Sequence, residues 1–327
     1  MQMDTEETNS PPPRTHGRTH AWLKLIRVPN LFTVPGDVLV GMALASRLNF
    51  SEGHLFARVV DAILFLPAAA VLLYIAGLIL NDLHDQPQDA ETRPERPLPS
   101  GRIRRPAAWA AAVTAMIVAV LLSGSGDEAT VFCALILCAL VVIYNFAVKH
   151  LAGAACVVMG FCRGFSMLMG GLAHTRHSDT PLRTVLGALF LTVYIGFVTW
   201  IARRENEVHR PGWVALAPPL IMLLGWLSVL AWIVAELRWE ILGSLWSPLC
   251  AITLFVVAQQ QCWRSARALW RREVGPDVVQ PTVGAFIECL IPWQSSLLFL
   301  CGCPIMGLLV LLGWPLTRVL RRHFAAS

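Results

Sequence analysis

Charged residues are scarce in this 327-residue sequence, at 14% of the total. Soluble globular domains carry about 25%, so the composition excludes an ordinary soluble protein. Hydrophobic residues reach 56%, and the mean hydropathy is +0.59. This composition also excludes the disordered, collagen-like and disulfide-rich secreted classes. The remaining class is a polytopic membrane protein.

Cysteine motifs and a signal peptide are missing as well. Nine cysteines are present, most of them in apolar runs, and none forms a CxxC pair. We therefore expect buried free thiols rather than a zinc site. The first 22 residues lack the apolar segment of a signal peptide. We predict a disordered tail at 1–22, a transmembrane domain at 23–320 and a C-terminal tail at 321–327.

Long apolar runs predict an all-α bundle of about nine transmembrane helices. A span needs about 20 mostly apolar residues, and these runs do not alternate as barrel strands would. The candidate spans lie near 31–48, 59–81, 106–122, 130–147, 151–173, 184–202, 213–235, 241–262 and 295–316. The stretch 282–291 is too short to cross and ends at Pro292, which favours a half-helix or an interfacial helix.

The distribution of lysine and arginine predicts the topology. With the N-terminus in the cytoplasm, 17 of the 26 basic residues fall on the cytoplasmic side and eight on the other, while Arg163 lies inside a span. The positive-inside rule supports that orientation, and the cytoplasmic membrane is the expected location. The basic segment at 318–322 fits less well, because nine crossings put it outside. Basic residues between apolar runs report topology, so no nucleic-acid partner is expected.

One cytoplasmic loop combines carboxylates with arginines. Asp82 and Asp85 are three residues apart at the end of the second span and so share a helix face. Mg²⁺ takes one or two carboxylates plus phosphate oxygens, and the guanidinium groups of Arg93 and Arg96 match phosphate geometry. The set suits a magnesium–diphosphate complex. A solvated loop of mixed charge is the alternative that these residue types leave open.

The spacing of this loop resembles a known motif. The sequence NDLHDQPQD at 81–89 resembles the first aspartate-rich motif of the UbiA superfamily of membrane prenyltransferases. The arginine-rich sequence up to Gly101 resembles the segment directly after that motif in the superfamily. Weaker similarities are RVPN at 27–30, and Tyr144-Asn145 with Lys149.

The resemblance implies a nine-helix bundle whose cavity opens to lipid. It implies an enzyme that transfers a prenyl group from a prenyl diphosphate, with Mg²⁺ as cofactor, to a hydrophobic or aromatic acceptor in the bilayer. The implied catalytic and metal-binding residues are Asp82, Asp85 and Asp89. The implied substrate-binding residues are Asn30, Asn81, Arg93, Arg96, Lys149, Arg203, Arg204 and Glu205.

Two features depart from the family pattern. Pro87 lies within the motif and predicts that the helix ends or kinks near Gln86. The place of the second aspartate-rich motif reads ARRENEVH at 202–209, with two glutamates and two arginines. This version is similar to the EboC-like branch of the family. Either Glu205 and Glu207 hold a second Mg²⁺, or the two arginines replace its charge.

Two charges lie inside predicted spans. Asp37 is in the first span, and Arg163 is about 18 Å into the fifth at 1.5 Å per residue. Such charges are usually paired or face a cavity, and we predict that these two form a buried pair beside the pocket. Gly160 and Gly164 flank Arg163 at the spacing of close helix packing.

Two functions stay open from the sequence. The first is the Mg²⁺-dependent prenyltransferase, and the second is a non-catalytic relative that binds or moves an isoprenoid lipid. The aspartate pattern of a CDP-alcohol phosphotransferase is absent, and so are the paired broken spans of a secondary transporter.

Overall fold

The fold is a bundle of α-helices. The computed structural model describes residues 17–45, 53–173, 182–235, 246–270 and 273–325, apart from the side chains of 53–62 and 323–325. The helices are α1 Arg18–Leu25, α2 Val28–Leu31, α3 Pro35–Ala45, α4 Gly53–Thr92, α5 Arg105–Ser123, α6 Glu128–Ile143, α7 Ala152–Leu172, α8 Leu182–Ala202, α9 Ala217–Ala235, α10 Trp246–Trp270, α11 Pro276–Glu288, α12 Leu290–Leu300 and α13 Pro304–Ala325. A π-helical turn, Tyr144–Val148, extends α6, and a 3-10 turn, Gly212–Leu216, precedes α9.

The predicted class, an all-α multi-pass membrane protein, is confirmed. Nine segments of the described residues are long and apolar enough to cross a bilayer. They are Val28–Ala45, Ile63–Thr92, Arg105–Ser123, Glu128–Val148, Ala152–Leu172, Leu182–Ala202, Gly212–Ala235, Pro276–Leu300 and Pro304–Arg322. Large apolar side chains such as Leu121, Leu182 and Ile305 project outward, as a lipid-facing surface requires.

The course of the chain after residue 245 differs from the prediction. The span predicted at 241–262 corresponds to α10, which at 25 residues is about 37 Å long. Its glutamines at 259–261 keep its hydropathy below that of the nine segments. The stretch at 282–291 does not end at Pro292. It belongs to α11, which continues into α12 after a single break at Cys289, and the two together are long enough to cross.

The span predicted at 295–316 is in fact parts of two helices. A tight turn at 301–303 separates α12 from α13, and Gly302 adopts a left-handed conformation there (φ 76°). Thr317 on α13 donates a hydrogen bond to the carbonyl of Pro29 (3.2 Å). The last helix therefore returns to the end of the bundle where the first span begins.

This extra crossing corrects the predicted topology. Arg318, Arg321 and Arg322 were expected on the side opposite the aspartate-rich loop, and the return of α13 brings this segment to the same side. When these three arginines are placed on the side of the aspartate-rich loop, that side holds 20 of the 26 basic residues. The misfit of the C-terminal arginines with the positive-inside rule disappears.

Glycines allow the closest helix contacts. A Cβ on Gly160 would lie 2.3 Å from the carbonyl oxygen of Thr192, and one on Gly164 would lie 2.1 Å from its hydroxyl oxygen. A Cβ on Gly41 would lie 1.9 Å from the carbonyl oxygen of Met167. Helix α7 therefore packs backbone to backbone against α3 and α8, as the small-residue spacing predicts.

Parts of the predicted tails, 18–22 and 321–325, are helical in the structure. Residues 1–16 and 326–327 lie outside the described residues, but α1 begins at Arg18 and α13 runs to Ala325. All nine cysteines are described and none is in a disulfide. The prediction of free thiols is confirmed.

Candidate active site

The three aspartates of the motif lie on one face of α4. This helix continues past Pro87 to Thr92. Of the two alternatives predicted for Pro87, a helix end near Gln86 is therefore wrong. Pro87 only removes one backbone hydrogen bond near the exposed helix end, where the cost is smallest. Asp82 and Asp89, seven residues apart, are both buried on that face, and Asp85 is half-buried between them.

Each aspartate contacts one basic side chain from another part of the chain. Arg27 contacts Asp82, with Nη2 3.1 Å from Oδ1. Arg96 contacts Asp89, with Nη1 2.6 Å from Oδ2. The ammonium group of Lys149, just after the π-helical turn, contacts both oxygens of Asp85. The three aspartates and three basic side chains thus meet at one end of the bundle.

Two of the carboxylates converge on one point. The Nδ2 atom of Asn81 lies 3.4 Å from Oδ1 of Asp82 and 3.2 Å from Oδ2 of Asp85. A donor between two carboxylates occupies the kind of position that a small cation takes, and Mg²⁺ binds through one or two carboxylates when phosphate oxygens complete its shell. The pair therefore fits one Mg²⁺.

The role of Asp89 as a third metal ligand stays a prediction. Among the described residues, no group of three His, Cys, Asp or Glu side chains could hold one ion. Asp89 pairs with Arg96 instead, one helical turn beyond the point where Asp82 and Asp85 converge.

A cavity of about 490 Å³ opens beside this cluster and runs into the bundle. Along α4 its lining extends from Asn81 to Ala70, which is about 16 Å of helix. The walls are mostly apolar and come from α2, α4, α6, α7, α8 and α11. Asn30 lies in the lining, as predicted. A polar mouth over an apolar shaft suits a ligand with a charged head and a hydrocarbon tail.

The segment after α8 reaches the mouth of the cavity with one of its four charged residues. Glu205 lines the cavity, whereas Arg203, Arg204 and Glu207 are exposed on the loop. Burial raises the pKa of Glu205 above its ordinary value. The guanidinium groups of Arg27, Arg93 and Arg96 oppose that rise in its pKa. The two glutamates thus diverge and do not form a common metal site.

The two loops predicted to share a site do meet. Asn206 accepts a hydrogen bond from Arg93 (Nη2 to Oδ1, 3.3 Å) and another from Gln280 of α11 (Nε2 to Oδ1, 3.2 Å). Sequence reasoning missed Asn206 and Gln280 as site residues. An asparagine in a basic loop carries no signal of its own, because its role depends on which loops approach it.

Arg27 is a further site residue, to which the sequence analysis gave no role. It has a left-handed backbone (φ 47°, ψ 55°), which is unusual for a residue other than glycine. Such strain often marks a functional position. This conformation separates α1 from α2 and directs the guanidinium group at Asp82. Its place before a proline and the first span was the available signal.

The predicted buried pair is confirmed. Arg163 contacts Asp37 through Nε to Oδ2 (2.5 Å), and Arg163 lines the cavity. Gln294 of α12 donates a hydrogen bond to Oδ1 of the same aspartate (2.6 Å). Arg163 also donates to the carbonyl and the hydroxyl of Thr33 (2.8 and 3.1 Å). The pair therefore joins α3, α7 and α12 at the inner end of the cavity.

Curated relatives share part of the sequence. The digeranylgeranylglyceryl phosphate synthase of Methanothrix thermoacetophila is 30% identical over 167 residues, which cover 51% of this chain and 60% of the relative. The enzyme of the same name from Sulfolobus acidocaldarius is 29% identical over 226 residues, which cover 69% of this chain and 75% of the relative. The chain spans less than two thirds of the length of the first of these.

Solved structures share the fold. A structure described as giving insights into digeranylgeranylglyceryl phosphate synthase in membranes matches with a TM-score of 0.57, at 17% identity over 88% of this chain and 99% of that one. A UbiA homolog from Aeropyrum pernix matches with a TM-score of 0.56, at 15% identity over 83% of this chain and 97% of that one. A UbiA homolog from Archaeoglobus fulgidus, bound to DMAPP and Mg²⁺, matches with a TM-score of 0.50, at 16% identity over 89% of this chain and 98% of that one.

The family model extends over most of the bundle. The model of the UbiA prenyltransferase family matches residues 37–274, which include α4 with its aspartates, Lys149 and the loop at 203–209. The similarity to the EboC-like branch stays a prediction. The chain belongs to the UbiA prenyltransferase family.

Proposed function

We propose that this protein transfers a prenyl group, within the membrane, from a prenyl diphosphate to an acceptor. The observation that supports this most directly is the junction of a charged mouth with an apolar shaft: Asn81 stands at the boundary, next to Asp82 and Asp85 and at the top of the cavity. One Mg²⁺ held by this pair would neutralise diphosphate charge as the leaving group departs.

The basic residues at the mouth hold the diphosphate. Arg27, Arg96 and Lys149 each contact one aspartate. Diphosphate oxygens compete for the same donors, so we propose that these side chains turn from carboxylate to phosphate when the donor binds. Guanidinium groups bind phosphate oxygens bidentately. Loss of diphosphate leaves an allylic cation at the top of the shaft, where apolar walls keep water away from it.

The acceptor that we propose carries a glycerophosphate head. The curated relatives are named for a glyceryl phosphate product. Of the hydrophobic or aromatic acceptors that the resemblance implied, this favours a lipid-like one. Such an acceptor attacks through a hydroxyl, which must lose its proton. Glu205 is at the mouth, lines the cavity and has a raised pKa. We assign it as the base, because a base works best when its pKa is closer to the working pH.

The test is transfer by the purified full chain in nanodiscs. Radiolabelled prenyl diphosphates of several lengths are offered with Mg²⁺ and either a prenylated glyceryl phosphate or a hydroxybenzoate acceptor. We expect Mg²⁺-dependent release of diphosphate and a labelled product with the glyceryl phosphate. Binding of the donor without release of its diphosphate in the presence of either acceptor would favour the second candidate, a protein that binds or moves an isoprenoid lipid. A product with the hydroxybenzoate alone would overturn the acceptor assignment and leave the transfer intact.

A further inference from the structure

Two histidines face each other beside the acidic cluster. His84 is on α4 and His150 follows the π-helical turn, and their Nε2 atoms are 3.4 Å apart. Their ring centroids are 5.6 Å apart, with the rings tilted by 42°. The usual N–H to acceptor distance in a hydrogen bond is about 2.9–3.0 Å, so a hydrogen bond between these rings is a long one. The proposed prenyl transfer does not use either ring.

The separation suits a bridging metal ion. Zinc binds imidazole nitrogen at about 2.0–2.1 Å with tetrahedral geometry, so two imidazole ligands of one ion lie about 3.3 Å apart. The two Nε2 atoms already stand at nearly that distance. We propose that His84 and His150 form a binding site for a transition-metal dication of the zinc class. Mg²⁺ prefers oxygen ligands, whereas imidazole suits zinc, nickel and copper, so this site and the aspartate pair would take different ions.

Aromatic neighbours hold one ring in place. Phe146 meets the His84 ring edge-on, with centroids 5.7 Å apart at 85°. Trp109 of α5 stacks on Phe146, with centroids 6.0 Å apart at 15°. The His84 ring therefore packs on one side against the stacked rings of Phe146 and Trp109, which limits the rotamers that it can adopt. A preorganised ligand loses less conformational freedom when the metal binds.

A metal ion at this site would keep coordination positions that no protein side chain fills. Among the described residues, no third His, Cys, Asp or Glu joins the two histidines to make a metal-binding group. His84 is half-buried and His150 is exposed, so water can complete the coordination. Structural zinc sites are four-coordinate and closed, so a site with two protein ligands is not of the structural type. We therefore expect reversible binding that the fold does not require.

Metal binding to these two histidines should affect a neighbouring ion pair of the active site. His84 precedes Asp85 and His150 follows Lys149, and that aspartate and that lysine form an ion pair. A metal bridging the histidines would fix the two segments that carry the ion pair and hold Lys149 on its carboxylate. If Lys149 must turn to the diphosphate, as the proposed function requires, zinc inhibits transfer. This consequence rests on the proposed function, whereas the binding itself does not.

Binding is measured directly on the full chain, purified without a histidine tag. Zn²⁺ is titrated by calorimetry in millimolar Mg²⁺, and Co²⁺ serves as an absorbance probe of tetrahedral coordination. We expect one ion per chain, and at least about a tenfold loss of affinity, or about 1.4 kcal/mol, in His84→Gln and in His150→Gln. His209→Gln is the matched control, because its ring lies at the same end of the bundle and has the carbonyl of Glu207 as neighbour (3.2 Å).

Two outcomes would overturn the site. One is wild-type affinity in the His84→Gln/His150→Gln double variant, which would place the ion elsewhere, and the other is no binding by the wild type. Helicity and elution volume check that the variants are folded. The activity arm is separate: Zn²⁺ should inhibit transfer by the wild type and spare the double variant. If the chain shows no transfer at all, calorimetry and Co²⁺ absorbance still decide the binding site.

Discussion

Arg163 and Asp37 form a two-point ion pair inside the bundle, with Nε 2.5 Å from Oδ2 and Nη2 3.1 Å from Oδ1. The aspartate side chain is fully buried, and that of Arg163 is 7% exposed. Gln294 and Thr33 complete the polar shell around the pair. Because Arg163 also lines the cavity, the charge pair that holds α3 to α7 forms part of the inner wall of the site.

Breaking this pair should cost more than removing it. Asp37→Asn or Arg163→Met leaves one uncompensated buried charge, which typically costs about 3–5 kcal/mol. The double variant removes both charges, so we expect it to be more stable than either single variant. The measurement is a double-mutant cycle of unfolding free energy in detergent. Additive losses of unfolding free energy would contradict a direct interaction. Ser166→Ala, which changes an uncharged residue of the same cavity, is the control, and its effect should add to that of either charge variant.

The first two aspartates should be essential and the third less so. Asp82→Asn or Asp85→Asn removes a charged ligand from the point where the two carboxylates converge, and should lower turnover by at least about 100-fold, or about 2.7 kcal/mol. Asp89→Asn should cost less, because Asp89 pairs with Arg96 and does not share that point. Initial rates at saturating donor check this order. Normal rates in folded Asp82 and Asp85 variants would contradict the metal assignment.

The pH dependence of transfer should report Glu205. A base must be ionised, and the pKa of Glu205 lies above its ordinary value. The rate constant kcat/KM should therefore fall as the pH drops through that raised pKa, at a higher pH than an ordinary glutamate would give. Glu205→Gln should be slow, and its rate should not show this fall at low pH. Glu207→Gln, which changes an exposed neighbour, should still show the fall. Arg93→Gln removes a charge that lowers the pKa, so the fall should move to higher pH.

The arginines at 203 and 204 should matter for donor affinity more than the second glutamate does. Both are exposed, and they lie between Ala202 and Glu205, which line the cavity. We propose that they supply the positive charge that a second Mg²⁺ would otherwise bring. We predict that Arg203→Ala or Arg204→Ala weakens prenyl diphosphate binding by about tenfold, or about 1.4 kcal/mol. Glu207→Ala should have little effect. Donor affinity is measured at saturating Mg²⁺. If Glu207→Ala is the worst of the three and excess Mg²⁺ rescues it, the segment is a metal site.

The loops of the site and the end of α13 should face one compartment, which we predict to be the cytoplasm. Single cysteines that replace Gln88, Arg210 and Arg322, in a chain without native cysteines, should react with an impermeant thiol reagent from the same side of the membrane. These three positions are exposed. Labelling at position 322 from the opposite side would restore the topology with one crossing fewer.

The fold class, the aspartate-rich motif and the buried charge pair were predictable from the amino-acid sequence. Apolar runs about 20 residues long can only be helices in lipid, and the spacing of Asp82, Asp85 and Asp89 puts them on one helix face. Asp37 and Arg163 were predictable as partners because an unpaired charge in a span is too costly to persist. These conclusions depend on local periodicity or on the large free-energy cost of an unpaired charge in a membrane. Both can be recognised from the order of the residues alone.

Which side chains contact one another across the bundle could be learned only from the three-dimensional structure. The contacts of Arg27 with Asp82 and of Asn206 with Arg93 join segments that are 55 and 113 residues apart, and no local pattern specifies such approaches. The last crossing was missed because the break between α12 and α13 depends on a three-residue turn within an apolar stretch. For Pro87 the sequence predicted a helix break that does not occur. The proline removes one backbone hydrogen bond near an exposed helix end, and this cost is too small to end a 40-residue helix that packing in the bundle and the ion pairs hold in place.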